Sequence, residues 1–346
     1  MTGRQALAEI FEPGHALDHI RLAREADVVV IAPATADVMA RAAHGHANDL
    51  LTASLLATSS PVLFVPAMND HMWAHPQTVR NVEHLREIGY RVLDPDDGPL
   101  AIGEGSGPGR MPEPEAIVAH LGRLLESDNT LGGRRILVTT GATREAVDPV
   151  RFISNHSSGK MGAAIAAAAW RRGADVTLIA GHTDIDLPRG PRVIRIDTTD
   201  AMARAVAGEI GAADALVMAA APADFTVKQV SSSKMKREGG APSLDLVETA
   251  DILKGVSSSR KKGSVVVGFA LETGDAARRG EEKLRAKDLD MIVVNDQNEE
   301  GAGFGGDTNR VTLMSRDGKR EELPLMLKTE LAEVLLDRIG AMLNGS

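Results

Sequence analysis

Residues 151–162 read RFISNHSSGKMG, close to the phosphate-binding loop G-x-x-x-x-G-K-[ST] but different at two of its positions. Gly159 and Lys160 are in place, while Ser154 stands at the first glycine and Met161 replaces the hydroxyl that would reach a metal ion. The ATPase form of the loop is therefore excluded. The run ILVTT before the stretch has the continuous hydrophobicity of a buried strand, and GAAIAAAAW after it reads as a helix. That order puts the amides of Ser157, Ser158, Gly159 and Lys160 at a helix N-terminus, where orphan N–H groups and the macrodipole attract anions. Two readings of these residues stay open: an anion-binding helix start, or a serine-capped helix with a surface lysine.

Further charged groups stand at suggestive spacings. Lys283 and Lys287, in EEKLRAKDLD, are four apart and would share one helix face. Like charges so placed repel by roughly 0.2–0.5 kcal/mol. Either an anion lies between them, or they complement the negative end of the helix beside Glu281 and Glu282. Asp224 and Lys234 bracket the start of KQVSSSKMKREGGAPS, where Lys236 and Arg237 follow closely. That cluster is either a solvated charge run or a flap closing over a polyphosphate, since closure expels water and strengthens each charge interaction. His15, His44, His46, His71, His75 and His84 crowd the first part of the chain, but no pair has the spacing of a metal site with a third ligand, so no metal-ligating residues are assigned.

These groups need elements to position them. DVVVIAP, PVLFVPAM, RRILVTTG, DVTLIAG, DALVMAAAP, SVVVGFA and DMIVVND are continuous apolar runs separated by helical patterns, the mark of parallel strands covered on both faces. The fold class is α/β with open parallel, Rossmann-like sheets. Ligands in such sheets bind beyond the carboxyl ends of the strands, here TTGATRE, AGHT, AAPADF, GFALETGD and VNDQ. The 346 residues suffice for two domains, and the polar break ESDNTLGG divides them into 1–125, a linker at 126–133, and 134–346. The soft stretch at 228–243 falls inside the second domain and has too little apolar surface to pack. A net charge of -9 argues against nucleic acid and membrane surfaces as partners, and no apolar run reaches the ~18 residues of a membrane span. The absence of cysteine fits a reducing cytoplasm and excludes disulfides, thiolate metal sites and cysteine nucleophiles.

Taken in order, GATREAVDPVRFISNHSSGKMG, AAPADF followed by KMKR, VVGFALET, KLRAKDLDMIVVND and FGGDTNRVTL resemble the phosphopantothenate-cysteine ligases across residues 134–342. The resemblance implies that the carboxylate of 4'-phosphopantothenate attacks CTP, with Mg²⁺, to give an acyl cytidylate and pyrophosphate, and that the amine of cysteine then displaces CMP. It assigns nucleotide contacts to Asp224, Lys283 and Lys287, cytosine packing to Phe269, a flap role to Lys234, and the activated acyl group to Asn155. The loop at 151–162 would hold the phosphate end of phosphopantothenate or support its acyl cytidylate. Pro222 replaces a small aliphatic residue, and KMKR replaces a more common lysine ending; neither change removes a charge.

The first domain resembles the flavin-dependent cysteine decarboxylases, which implies a flavodoxin-like fold and FMN. HIRLAREADVVVIAPATADVMARAAHGHANDLL, PAMNDHMW and GPGRM carry the likeness. It makes His19 the active-site histidine and Asn69 the substrate-carboxylate ligand. Pro33, Ala34, Thr35 and Met68 fall on the flavin side, and Gly107, Gly109, Arg110 and Met111 end a clamp over the substrate. Two departures accompany these matches. The family's opening strand and glycine-rich turn have no counterpart in residues 1–27, so this domain is expected to be partial. The clamp cysteine column falls on Ile102 or Gly103, near Glu104 and Ser106, and neither Ile102 nor Gly103 can deliver a proton. The expectation is an active ligase with an impaired decarboxylase; the alternatives are a fully bifunctional enzyme, or a first domain that serves only in assembly. The resemblance further implies homo-oligomers, with ligase dimers and decarboxylase trimers. A generic nucleotide-binding or dehydrogenase module ranks last among the readings, because no G-x-G-x-x-G follows any of the strands.

Overall fold

A computed structural model describes residues 6–7, 17–100, 105–126, 129–236, 243–272, 276–296 and 305–345. The chain divides into two compact units, Met1–Ser127 and Asp128–Ser346.

The first unit runs α1 (Asp18–Glu25), β1 (Val29–Ala34), α2 (Ala36–Ala43), α3 (Leu50–Ala57), β2 (Val62–Pro66), α4 (Asp70–Trp73), α5 (Pro76–Glu87) and β3 (Arg91–Val92). A hairpin of β4 (Asp96–Pro99) and β5 (Ser106–Arg110) follows, then α6 (Pro114–Leu125). β1, β2 and β3 form a parallel sheet with β2 in the middle. Every residue of β2 is buried, which accounts for its unbroken apolar run. Its Phe64 packs with Met39 of α2 and Leu85 of α5 in the core. Capping starts the helices: Thr35 accepts from the Val38 amide at α2, and Asp49 from the Thr52 amide at α3.

The second unit begins with β6 (Arg135–Thr140), a small hairpin of β7 (Arg144–Ala146) and β8 (Phe152–Ser154), α7 (Lys160–Arg171), β9 (Asp175–Ala180) and β10 (Arg192–Arg195). It continues with α8 (Thr199–Glu209), β11 (Ala215–Met218), β12 (Phe225–Val227) paired to β13 (Leu246–Glu248), α9 (Ile252–Val256), β14 (Val265–Glu272), α10 (Ala276–Ala286) and β15 (Met291–Asp296). β16 (Thr308–Asn309), β17 (Val311–Ser315), β18 (Arg320–Glu322), β19 (Met326–Leu327) and α11 (Lys328–Asn344) complete it.

Eight of these strands make one sheet in the order β10-β9-β6-β11-β14-β15-β17-β18. Pairing is parallel as far as β15, as the continuous apolar runs require. β17 and β18 depart from the all-parallel expectation and close one edge antiparallel. An Asp317-Gly318 turn, with Gly318 at φ 85°, returns the chain too tightly for a parallel crossover. The alanine-rich helix α7 lies hard against β6: a Cβ on Gly162 would come within 2.6 Å of Thr140. From β6 the chain winds outward through β9 and β10, then crosses back to β11 on the other side. The strand ends of β6 and β11 therefore flank the point where such sheets bind ligands.

Candidate active sites

At the β6 end, Gly141 has φ 77°, and a Cβ there would sit 2.4 Å from the His182 carbonyl oxygen, so only glycine fits. Its carbonyl accepts from the Ala221 amide at 2.8 Å, while Ala142 and His182 exchange main-chain hydrogen bonds at 2.8 and 2.9 Å. The ends of β6, β9 and β11 are thus laced together. Below them is a buried polar network. Glu145 accepts from the Thr199 amide at 2.8 Å and hydroxyl at 2.9 Å; the Thr143 and Thr199 hydroxyls are 2.9 Å apart, and Thr143 also accepts from the Ala223 amide. Ala223 in turn accepts from the Thr249 hydroxyl at 2.6 Å.

This network presents the predicted residues. Ser154 donates to the Thr143 carbonyl at 2.7 Å, and the exposed Asn155 next to it reaches across to donate to the Pro222 carbonyl at 2.9 Å. Asp224 is exposed just beyond, with its carbonyl held by the Thr249 amide at 3.0 Å. Two residues on, Asp251 caps α9 and pairs with Lys287 at 3.6 Å, which draws Lys287 toward the loop that carries Asp224. Phe269 lies half-buried on β14, opposite Val293. Lys283 is exposed on α10.

Lys283 and Lys287 do not share a continuous helix, as their spacing suggested. The helix ends at Ala286, and Asp288 takes φ 50°. The Leu289 amide bonds to the Leu284 carbonyl and that of Asp288 to Arg285, a Schellman-type close with aspartate where glycine is usual. Lys287 remains one turn beyond Lys283, with its amide on the Lys283 carbonyl at 3.0 Å.

The serine-capped reading of α7 does not hold: its N-cap is Gly159 at φ 79°, with no side-chain cap. Ser157 and Ser158 precede it, Ser158 buried, and the Gly159 carbonyl accepts from the Thr140 hydroxyl at 2.7 Å. Lys160 does not stand open over the loop. Its ammonium donates to the Asp307 carboxylate at 2.6 Å and the Gly305 carbonyl at 2.9 Å. Lys328, at the start of α11, donates to the Gly306 carbonyl at 2.6 Å. Burial and the nearby charge of Lys160 hold the Lys328 ammonium below its ordinary pKa, with Asp307 opposing them.

Reasoning from sequence missed Asp148. Its side chain has no exposed surface, yet it faces the Arg151 guanidinium at 3.7 Å. Burial alone would raise its pKa, but amide hydrogen bonds from Val150, Met235 and Arg151 and the charge of Arg151 bring it below the ordinary value. The Asp-Pro dipeptide at 148–149 was a legible turn signal. Met235, its second partner, belongs to the soft stretch, where Lys234 and Lys236 are exposed; Arg237 lies outside the described residues. Among the described residues no group of three His, Asp or Glu could hold a metal ion.

In the first unit, Pro33 and Ala34 end β1 and Thr35 caps α2. The Ala67 amide donates to the Ala34 carbonyl at 3.2 Å, and the Met68 amide to the Gly109 carbonyl at 3.0 Å. Asn69 caps α4 by accepting from the His71 amide at 2.9 Å. A Cβ on Gly109 would lie 2.2 Å from the Met68 carbonyl oxygen, and one on Gly107 3.2 Å from Asp70. The β1 end, the β2 end and the β4–β5 hairpin are therefore in contact, with Arg110 paired to Glu113 and Met111 exposed. His19 is on α1, a helix tied to the α3 end by the Thr58 hydroxyl on the Ala23 carbonyl at 3.2 Å. Its Nδ1 is buried without a hydrogen-bond partner among the described residues. Ile102, Gly103 and Glu104 lie outside them.

A family model described as the DNA/pantothenate metabolism flavoprotein C-terminal domain matches residues 131–343, and one described as Flavoprotein matches residues 8–126. The coenzyme A biosynthesis bifunctional protein CoaBC of Mycobacterium bovis is 45% identical, covering 100% of this chain and 86% of that protein. Its counterpart in Bacillus subtilis is 44% identical, over 94% of this chain and 80% of that protein. A crystal structure of the C-terminal domain of a CoaBC protein matches with a TM-score of 0.54 at 37% identity, covering 63% of this chain and all of that domain. With both halves matched and two relatives aligned over nearly the whole chain, this protein belongs to the family of bifunctional coenzyme A biosynthesis proteins.

Proposed function

We propose that residues 134–346 ligate 4'-phosphopantothenate to cysteine at the expense of CTP, and that residues 1–125 form a flavin decarboxylase half that is impaired. The observation that carries the ligase reading is the convergence of Asn155, the Asp224 loop and the root of the Lys234 stretch at the ends of β6 and β11. The substrate carboxylate attacks the α-phosphorus of CTP and pyrophosphate leaves. Negative charge grows on the nonbridging oxygens, where Lys234, Lys283 and Lys287 stabilise it. Mg²⁺ would accompany the triphosphate, held mainly by the phosphates themselves. The Asn155 amide exchanges the Pro222 carbonyl for the acyl oxygen as the cysteine amine attacks and CMP departs. The start of α7 at Ser157, Ser158 and Gly159 receives the phosphate of phosphopantothenate. Lys160 joins it by releasing Asp307.

In the other half, Asn69 orients the substrate carboxylate, His19 lines the site, and the hairpin residues Gly107 to Met111 cover it. Pro33, Ala34, Thr35 and Met68 would border the FMN, and the His19 Nδ1, buried without a hydrogen-bond partner among the described residues, has capacity left for a polar atom of a bound group. When bound, FMN supplies the oxidation of the substrate thiol. The chain contains no cysteine to return a proton to the product, which supports the impairment. Exposed apolar residues on the small hairpins, Phe152, Phe225 and Leu246, support a ligase dimer. Trimers through the other half and a cytoplasmic location complete the reading.

The test is pyrophosphate release with Mg²⁺ and 4'-phosphopantothenate, using CTP or ATP, with and without cysteine. The expected result is release with CTP that rises on adding cysteine, accompanied by little carbon dioxide from phosphopantothenoylcysteine even when FMN is supplied. No release with either nucleotide sinks the ligase reading; rapid decarboxylation sinks the impairment.

A further inference from the structure

Asp148 does more than its turn requires. Its Oδ1 accepts from the Val150 amide at 2.8 Å and the Arg151 amide at 2.9 Å, which is all that an aspartate-led turn needs. A neutral asparagine would serve equally well there. The second oxygen and the charge are spent elsewhere: Oδ2 accepts from the Met235 amide at 3.1 Å and faces the Arg151 guanidinium at 3.7 Å. Arg151 donates in turn to the Met235 carbonyl at 2.9 Å, and the Ser231 amide donates to the Val147 carbonyl at 3.0 Å. Met235 is thus gripped at both its main-chain polar groups by the turn that leads, four residues later, to Asn155. Lys234 and Lys236 flank the grip with exposed side chains. A carboxylate without exposed surface is tolerated only when its charge is matched, so the grip is a specific arrangement and not a loose surface contact.

We propose that Asp148 is a positioning residue: through Oδ2 and Arg151 it anchors Met235, and so sets the reach of Lys234 relative to Asn155. The Lys234 stretch then pivots about a fixed point and does not move as a free loop. This inference rests on the ligase reading and adds that the flap lysine and the acyl-binding asparagine are held in register by one buried charge.

The test is a double-mutant cycle in the full chain, reading pyrophosphate release with CTP and 4'-phosphopantothenate. Asp148→Asn keeps the turn acceptor but sets an amide group against the Met235 N–H. It should lower kcat/KM for CTP by roughly tenfold to a hundredfold, the scale of a misplaced reactive group. In a Lys234→Gln background the same change should cost less than about twofold, because the residue through which it acts is already gone. Equal losses in both backgrounds would mean that Asp148 supports the fold only, and would overturn the proposal. Should Asp148→Asn fail to fold, Arg151→Met removes the donor to the Met235 carbonyl from a half-exposed position and is read in the same two backgrounds. An inactive wild-type chain would instead overturn the ligase reading, and the proposal would fall with it.

Discussion

The strand ends of both units are laced main chain to main chain about a glycine, Gly141 in the second and Gly109 in the first, and the second unit adds a layer of buried side-chain bonds. In the second unit the loops after β6 and β11 hang on buried side chains as well: Thr143, Glu145 and Thr199 bond across three segments, and Asp148 bonds to a fourth. In the first unit the equivalent loops meet main chain to main chain, Ala67 on Ala34 and Met68 on Gly109, at an approach open only to glycine. The difference teaches which substitutions each site can absorb. A loop held by buried hydroxyls and carboxylates can display exposed polar groups such as Asn155 and Asp224 while its supports are buried. A loop held through its backbone depends on the absence of a Cβ.

Four substitutions or conditions break or sharpen that comparison. The largest effect is expected for Gly109→Ala, where the added carbon would lie 2.2 Å from the Met68 oxygen and the hairpin must shift. It should cost the first unit about 3 kcal/mol, in the range of overpacking at a rigid contact. Trp73 in the first unit and Trp170 in the second let denaturation of each be followed alone in single-tryptophan variants. An unchanged Trp73 transition would show that the close approach does not hold the hairpin.

Asn155→Asp should lower ligation about a hundredfold by placing a negative charge against the acyl oxygen, the cost of losing one well-aimed donor. Its Trp170 transition should stay near wild type, since the residue is exposed. Normal turnover would remove Asn155 from the mechanism. Glu145→Ala inverts the pattern: it leaves the Thr199 amide and hydroxyl without their acceptor and should cost about 2 kcal/mol at the Trp170 transition. A loss below about 0.5 kcal/mol, the level of an ordinary surface change, would mean the network is ornamental.

The smallest effect concerns acid. Asp148 and Asp214 are both held below the ordinary 3.8, because hydrogen bonds and neighbouring cations outweigh the upward push of burial. A depressed carboxylate stabilises the fold above its unfolded pKa, and that stability is lost as pH falls through 3.8 toward the folded value. Asp317, brought to about 2 by hydrogen bonds from Lys319 and Ser315, behaves alike. Among the described residues the first unit has Asp49 in this state. The Trp170 transition should therefore lose more denaturant resistance than the Trp73 transition between pH 5 and pH 3, and the reverse order would contradict the assignment of buried charge to the second unit.

Much of this was legible in the sequence. β2, β6 and β11 announce themselves as continuous apolar runs because both faces are covered. Asp224 stands in a strand end that those runs mark, whereas Asn155 was singled out only through the resemblance of its loop to the phosphopantothenate-cysteine ligases. What stayed hidden depends on partners distant along the chain. Met235 is 87 residues from Asp148, Thr199 is 54 from Glu145, and Asp307 is 147 from Lys160, so no local pattern links them. The end of α10 was misread for a local reason: Asp288 adopts the left-handed conformation without being glycine. The antiparallel edge was carried by a visible Asp-Gly turn signal, but neither β17 nor β18 has the continuous burial of the parallel strands.

The central claim is an acyl cytidylate formed at the ends of β6 and β11, and isotope transfer tests it most directly. Phosphopantothenate labelled with ¹⁸O in its carboxylate is turned over with CTP and cysteine, and the nucleotide products are weighed by mass spectrometry. Attack at the α-phosphorus followed by displacement by the amine leaves one labelled oxygen in CMP. Unlabelled CMP, or CDP with the label in orthophosphate, would contradict the account.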